Sequence, residues 1–400
     1  MTKKVLIMTQ NFYPVIGSAG NRMKNIFQLL NKNNIETRVL TIEPSYPNKN
    51  LYKNKEFWDD EELNNETKNI IRVPIKNKKF SSSIFSRLFF YLEIMVRFIV
   101  TLWKIRKEKF DYILVSTPPI FIVFSAFIGK FLTKSKVILE VRDLWPDSLL
   151  GVKAFDSRLT IRFFRYLERR MYQKADAIVI NSKGFEKHIT DKIRHAEKPI
   201  VYIPNGPREN EITSNREFDR EFSVVYTGNI GLAQDIDRLK AIAKSLHEHN
   251  IVFNVIGYGI KAGDFADYLE KNNLIGVRVY KPTTRKKSLD LIRQSNIAIA
   301  FLNDEGVFST VLPGKIIDYI TCKTPVVAGV KGTAAELINN NKVGFAFESR
   351  DVDKMIHKII ELKQDSNKLK ELAENCEKVV KQEFLWETNI SKLIGIIESK

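Results

Sequence analysis

Residues 311–319 read Val-Leu-Pro-Gly-Lys-Ile-Ile-Asp-Tyr, and the chain runs on through Lys323-Thr324 into Pro325-Val326-Val327-Ala328. Leu312-Pro313-Gly314-Lys315 reads as a loop that follows a strand and opens a helix, and the next strand begins near Pro325. Backbone N–H groups at such a turn, backed by the positive end of a helix dipole, can hold a diphosphate. Lys315 is a candidate counter-charge for that group. Asp318 lies three residues later on the same helical face. A carboxylate there can accept hydrogen bonds from a diol, although the dipole alone also favours an acid in a first turn.

Two other glycine turns have the same context. One is Gly17-Ser18-Ala19-Gly20, with Arg22 one turn into its helix, and the other is Gly228-Asn229-Ile230-Gly231. Each alone is an ordinary structural device, whereas three on one cleft would form a phosphate site. Gly257-Tyr258 closes a further strand. No Walker sequence occurs and the first loop lacks the full dinucleotide fingerprint, which argues against a P-loop NTPase and against NAD.

The rest of the chain alternates in the same way. Short apolar runs at Val5–Met8, Arg38–Thr41, Tyr112–Val115, Val137–Glu140 and Ala177–Ile180 are separated by helical stretches. The second half repeats the scheme at 223–226, 252–256, 277–280, 297–300 and 325–328. This pattern predicts an α/β fold of two doubly wound parallel sheets, with ligand at the carboxyl ends of the strands. At 400 residues the chain exceeds the usual reach of one core. We place one Rossmann-like domain at 1–205 and a second at 206–380, joined near Pro204-Asn205-Gly206-Pro207. Residues 381–400 form a helix expected to pack back on the first domain.

Charge is unevenly spread. The net charge is +17. Residues 1–205 hold 36 Lys and Arg against 20 Asp and Glu, and the remainder 28 against 27. A one-sided basic field implies an anionic partner. Within it, residues 84–103 form an apolar and aromatic run with Arg87, Phe89, Phe90 and Trp103 in it and Lys104 behind it. Glu93 and Arg97 interrupt its middle, where charge in lipid is costly. A helix lying in the membrane interface fits better than a spanning one, with a buried domain helix as the plain alternative. Ile120 to Leu132 reads as a core helix. The arginines from Arg158 to Arg170 form another basic helix, for a lipid diphosphate or for water. Cys322 and Cys376 have neither metal nor redox spacing, and Val5–Met8 is too short for a signal segment. The expected location is cytoplasmic, with no metal site.

The quoted 311–328 stretch, the Gly17 loop, Thr227–Gln234 and Trp386 together resemble the family 4 retaining glycosyltransferases of the GT-B fold. Val141-Arg142-Asp143-Leu144-Trp145-Pro146-Asp147-Ser148 resembles more narrowly a subgroup making bacterial capsule and O-antigen, including N-acetyl-L-fucosaminyltransferases. The resemblance implies two Rossmann-like domains facing an interdomain cleft, a UDP-sugar donor, no cofactor or metal, and a lipid-linked (undecaprenyl diphosphate) sugar acceptor. It also implies work on the inner face of the plasma membrane. Thr310 and Asp318 stand where the family has paired glutamates. Asn229 replaces a frequent Arg, and Gln234 stands near a frequent Lys. The family's common histidine is absent, and Arg142 or Asp143 occupies its place.

On this basis the nucleotide-sugar set is Gly17, Ser18, Ala19, Gly20, Arg22, Gly228, Asn229, Gly231, Gln234, Gly257, Tyr258, Leu312, Pro313, Gly314, Lys315 and Asp318. The catalytic candidates are Lys315, Arg142 and Asp143, the last orienting hydroxyl groups or simply pairing with Arg142. Catalysis would be chiefly electrostatic, through loop amides and Lys315 on the departing phosphate. A nucleotide-sugar epimerase of the same shape and a basic nucleic-acid-binding protein are the alternatives. Against the latter, the basic stretch is interleaved with long apolar runs and has no nucleic-acid fold signature.

Overall fold

The computed structural model describes residues 2–77, 84–148, 158–193, 198–212, 221–231, 235–303, 305–348 and 351–399. Gln234 and the side chain of Arg87 lie outside the described residues. The chain divides into two compact units. One gathers the residues up to Pro204 together with those from Asn389 onward, and the other runs from Asn205 to Thr388.

In the N-terminal unit the chain passes through β1 (Lys4–Met8), α1 (Ser18–Lys32), β2 (Glu36–Ile42), α2 (Glu61–Asn65), β3 (Ile70–Val73), α3 (Ile84–Ile105) and β4 (Tyr112–Thr117). It continues through α4 (Ile120–Thr133), β5 (Lys136–Val141), α5 (Arg158–Lys174), β6 (Ala177–Ile180), α6 (Glu186–Ile193) and β7 (Ile200–Tyr202). The sheet order is β3-β2-β1-β4-β5-β6-β7, and every pairing is parallel. Both faces are covered, so Val5 to Met8 show no exposure and the strands read as apolar runs without alternation. Winding reverses between β1 and β4. Right-handed crossovers therefore put α1 on one face and α3, α4 and α5 in a layer on the other. Tyr91 of α3 stacks on Phe121 of α4 with ring centroids 5.9 Å apart, and the Ser125 hydroxyl donates to Met95 O at 3.2 Å.

The second unit holds β8 (Ser223–Asn229), α7 (Ile236–Glu248), β9 (Val252–Tyr258), α8 (Ala262–Lys271), β10 (Val277–Tyr280), α9 (Arg285–Arg293) and β11 (Ile297–Phe301). These are followed by α10 (Gly314–Thr321), β12 (Val326–Gly329), α11 (Thr333–Asn340), β13 (Gly344–Phe347), α12 (Val352–Gln364) and α13 (Ser366–Val379). Its order is β10-β9-β8-β11-β12-β13, again all parallel, with the switch between β8 and β11. Side chains alternate across the sheet. Val224 and Tyr226 pack with Phe253, Ile299 and the helices of one face, while Val225 packs with Ala298, Ile316 and Ile320 on the other. The last helix, α14 (Trp386–Glu398), ends in the N-terminal unit, where the Tyr112 hydroxyl donates to Ile396 O at 3.1 Å and Lys392 Nζ to Tyr202 O at 3.1 Å.

Among the described residues no helix is long and apolar enough to cross a membrane. In α3 the stripe Phe90, Ile94, Phe98 and Leu102 recurs every four residues and is 2% exposed or less. That corrects the placement of Phe90 on a membrane face, because the four-residue period turns it inward. Phe89 and Trp103 point outward at 58% and 55% exposure, and Lys104 is exposed too. Arg97 is also reassigned. Its Nε donates to Glu93 Oε1 at 2.7 Å one turn back, so its charge is neutralised within the helix. Glu93 also accepts from the backbone N–H groups of Lys76 and Asn77. Burial opposes its ionisation, but these donors and Arg97 win and hold its carboxyl at about 2. The interrupted middle of the run is thus a device that anchors the chain entering α3. Ile120, Ile122, Val123 and Ala126 bear out α4 as a core helix, yet Phe131 near its end is 81% exposed.

Candidate functional site

The switch point of the second sheet holds the main constellation. Gly228, near the end of β8, has φ of 116°, a region costly for any residue with a Cβ. A Cβ there would lie 3.4 Å from Lys315 Cε and 3.5 Å from Lys315 Nζ. The lysine, in the first turn of α10, is therefore laid directly over the glycine. Its Nζ sits 4.0 Å from the Tyr226 ring centroid. It is buried and has no hydrogen-bond partner among the described residues. Burial pulls the ammonium down to about 7. A buried cation touching only an aromatic face has exchanged water for little, and an anion would restore what it lost.

The α10 terminus is otherwise open. No side chain caps it at Pro313, Leu312 is 5% exposed, and Gly314 begins the helix. Tyr319 ties the helix to β8 by its hydroxyl, which accepts from Thr227 N at 2.9 Å. Asn229 and Ile230 follow, and Ile230 N donates at 2.6 Å to the carbonyl of Tyr258, next to Gly257 at the end of β9. Gly231 is buried in the same loop.

Asp318 comes to the same edge but is not a free carboxylate. Its Oδ1 accepts from Arg285 Nη1 at 2.8 Å, and Arg285 turns its Nε and Nη2 to Glu211 at 2.5 and 3.2 Å. Burial pushes the Asp318 carboxyl up and Arg285 holds it down, with the net direction upward. Only Oδ1 is engaged among the described residues, which leaves Oδ2 to accept from a ligand. Arg285 and Glu211 are absent from the motif reading because their partners lie 33 and 74 residues apart, and no local spacing marks them.

The N-terminal sheet has its own edge. Gly17, with φ of 98°, precedes α1, and Ser18 is exposed beside Ala19 in the uncapped first turn. Gly20 is there for contact: a Cβ would fall 2.1 Å from Val15 O. Arg22 needs correction as a phosphate partner. It is 1% exposed, donating to Glu140 Oε1 at 2.5 Å and to Pro204 O at 3.0 Å. Glu140 is fully buried and takes the Ser116 hydroxyl at 2.5 Å on its other oxygen. Arg142 belongs to the same network: Nε donates to Ser116 Oγ at 2.8 Å and lies 3.5 Å from Glu140. The arginines thus brace the ends of β4 and β5, with Arg142 tied to Ser116 through Nε. Asp143, next in sequence, is driven upward by burial against the opposing charge of Arg142.

Family models match both units: one described as glycosyl transferase 4-like domain over residues 17–206, and one described as glycosyl transferases group 1 over residues 207–379. The chain belongs to the family 4 type of GT-B glycosyltransferases. Escherichia coli K12 WcaI, a glycosyl transferase assigned to colanic acid biosynthesis, is 20% identical over 79% of this chain and 81% of its own. Sucrose-phosphate synthase from Thermosynechococcus elongatus shares the fold at TM-score 0.72, with 12% identity over 98% of each chain. Anabaena HepE, solved in complex with UDP-glucose, matches at 0.70, with 14% identity over 99% of this chain and 100% of that one.

No histidine stands in sequence at Arg142 or Asp143, and the histidine nearest the loop after β5 is tied to Glu168 and Lys192. His188, in the first turns of α6, has Nε2 2.8 Å from Glu168 Oε1 and 4.0 Å from Asp147 Oδ2 in the loop after β5. Arg165 reaches Asp147 from α5 at 3.1 Å. His188 stands 41 positions after Asp147, so the motif reading passed over it.

Proposed function

We propose that this glycosyltransferase moves a sugar, with retention, from a UDP-sugar to a lipid-linked sugar acceptor on the inner face of the plasma membrane, in capsule or O-antigen synthesis. N-acetyl-L-fucosamine is the first donor sugar to test. The observation that carries the reading is the unpartnered Lys315 ammonium over Gly228 at the switch point, where an α/β sheet offers its ligand crevice. The HepE complex with UDP-glucose and the description of WcaI as a colanic acid biosynthesis glycosyl transferase support the donor and pathway class.

In this reading Lys315 and the open α10 terminus receive the diphosphate, with the Gly228 turn beside them. Asp318, fixed by Arg285, takes the ribose hydroxyls on its remaining oxygen. The bond from the anomeric carbon to the phosphate oxygen breaks as charge grows on UDP, and Lys315 is placed to offset that charge. The acceptor hydroxyl oxygen bonds to the anomeric carbon on the same face, and its proton passes to the departing phosphate. Asp143 orients hydroxyl groups. The positive charge comes from the protein, so no metal is required. The apolar outer face of α3 and its basic end, with Phe89, Trp103 and Lys104, seat the enzyme on anionic lipid.

A donor screen tests this: UDP-, GDP- and TDP-sugars with a bacterial membrane lipid extract, read by product mass. The expected product is a lipid-linked glycan one sugar heavier, formed from a UDP-sugar and insensitive to chelator. Release of a free epimerised sugar without acceptor would contradict it.

A further inference from the structure

The outer face of α5 carries two adjoining stripes. Arg158, Arg162, Arg165 and Arg169 recur at intervals of four, three and four residues. Leu159, Phe163 and Tyr166 follow the first three by one position, and they are 80%, 57% and 57% exposed. The inner face is closed by Glu168, Met171 and Tyr172, at most 2% exposed, and Phe164 packs on Trp145 with centroids 4.5 Å apart. The orientation is therefore fixed by the core, and the Arg–apolar pairs are left outside by construction.

A helix solvated for its own sake balances its arginines with acids one turn away. Among the described residues only Arg165 of this stripe has a carboxylate in contact, Asp147. Large apolar side chains at such exposure, beside cations with no carboxylate in contact among the described residues, match a surface that is part hydrocarbon and part phosphate. The right-handed crossovers put α5 in the same layer as α3, so both helices belong to one side of the sheet. Nucleic acid would satisfy the arginines but gives an aliphatic Leu159 nothing to stack on. A second copy of the chain would set one cationic face against another.

We propose that α5 is a second membrane-seating helix, its arginines on anionic headgroups and Leu159, Phe163 and Tyr166 in the acyl boundary of the bilayer. The inference extends the membrane part of the function proposed above and rests on it. The α3 reading by itself leaves α5 facing water.

The test is co-sedimentation of the full-length protein with vesicles of phosphatidylcholine alone or with phosphatidylglycerol. Two α5 variants are compared with wild type: R158Q/R162Q/R169Q, which spares the Arg165–Asp147 pair, and L159S/F163S/Y166S. Unchanged UDP affinity and thermal midpoint report that each is folded. Wild type is expected to prefer the anionic vesicles. The charge variant should lose roughly 30- to 100-fold in affinity, and the apolar variant at least about tenfold. If both bind like wild type while W103S/K104Q on α3 weakens binding, the α5 inference falls and the membrane reading stands. Loss in the charge variant alone marks a phosphate-attracting surface without insertion and overturns the seating. Wild type indifferent to phosphatidylglycerol, or binding RNA more tightly than vesicles, overturns both readings.

Discussion

Lys315 is held near neutrality by its surroundings, well below its ordinary range near 10.4. Between about 7 and 10.4 the unfolded chain binds a proton there that the folded chain does not, so stability should rise with pH through that window. K315M should remove that part of the slope and raise the thermal midpoint at pH 6, which calorimetric scans at several pH values will show. A K315M midpoint below wild type at pH 6 would mean the ammonium is satisfied by something else. Asp143 makes a different claim. D143N should cut turnover by roughly 100-fold while UDP affinity holds if the residue orients hydroxyl groups as proposed. Near-normal turnover removes it from the chemistry. Lys315 was legible in sequence because glycine, lysine and acid lie within one helical turn. Arg22 was misread because a cation beside a glycine loop looks alike whether it faces a phosphate or a buried carboxylate, and Glu140 is 118 positions from Arg22.

At the scale of elements, α10 depends on α9. Arg285 fixes which way Asp318 points, and Glu211 fixes Arg285. R285M should raise the KM for donor about tenfold with a smaller change in kcat, and lower stability by about 1–3 kcal/mol because two partly buried carboxylates lose their donor. R285K should recover part of the stability and less of the KM, since an ammonium lacks the planar fork that sets both acids in fixed directions. Equal KM in wild type and R285M would show that Asp318 needs no fixing. The inner strands were plain from periodicity, because parallel strands covered on both faces must be apolar throughout, whereas the short, partly exposed edge strands β3, β7 and β13 were not read from sequence. The outward face of α5 was not. Its arginines alone suit water or a lipid phosphate equally well, and only the exposure of Leu159 and Phe163 separates the two.

Across the whole molecule, charge and chemistry are divided. Nearly all the excess positive charge belongs to the half whose helices α3 and α5 present aromatic and basic faces, and the near-neutral half holds at its switch point the Lys315 ammonium, buried without a hydrogen-bond partner among the described residues. A general basic field acts over a Debye length, whereas one desolvated ammonium discriminates a ligand at contact. The central claim is that Lys315 awaits the diphosphate of a UDP-sugar, and titration calorimetry of UDP against wild type and K315M tests it most directly. Wild type should bind UDP with proton uptake at pH 8, seen as a dependence of the heat on buffer, because the phosphate restores the ammonium. K315M should bind roughly 10- to 100-fold more weakly and without that uptake. Equal affinity for UDP in the two proteins, with the same heat in every buffer, would contradict the account.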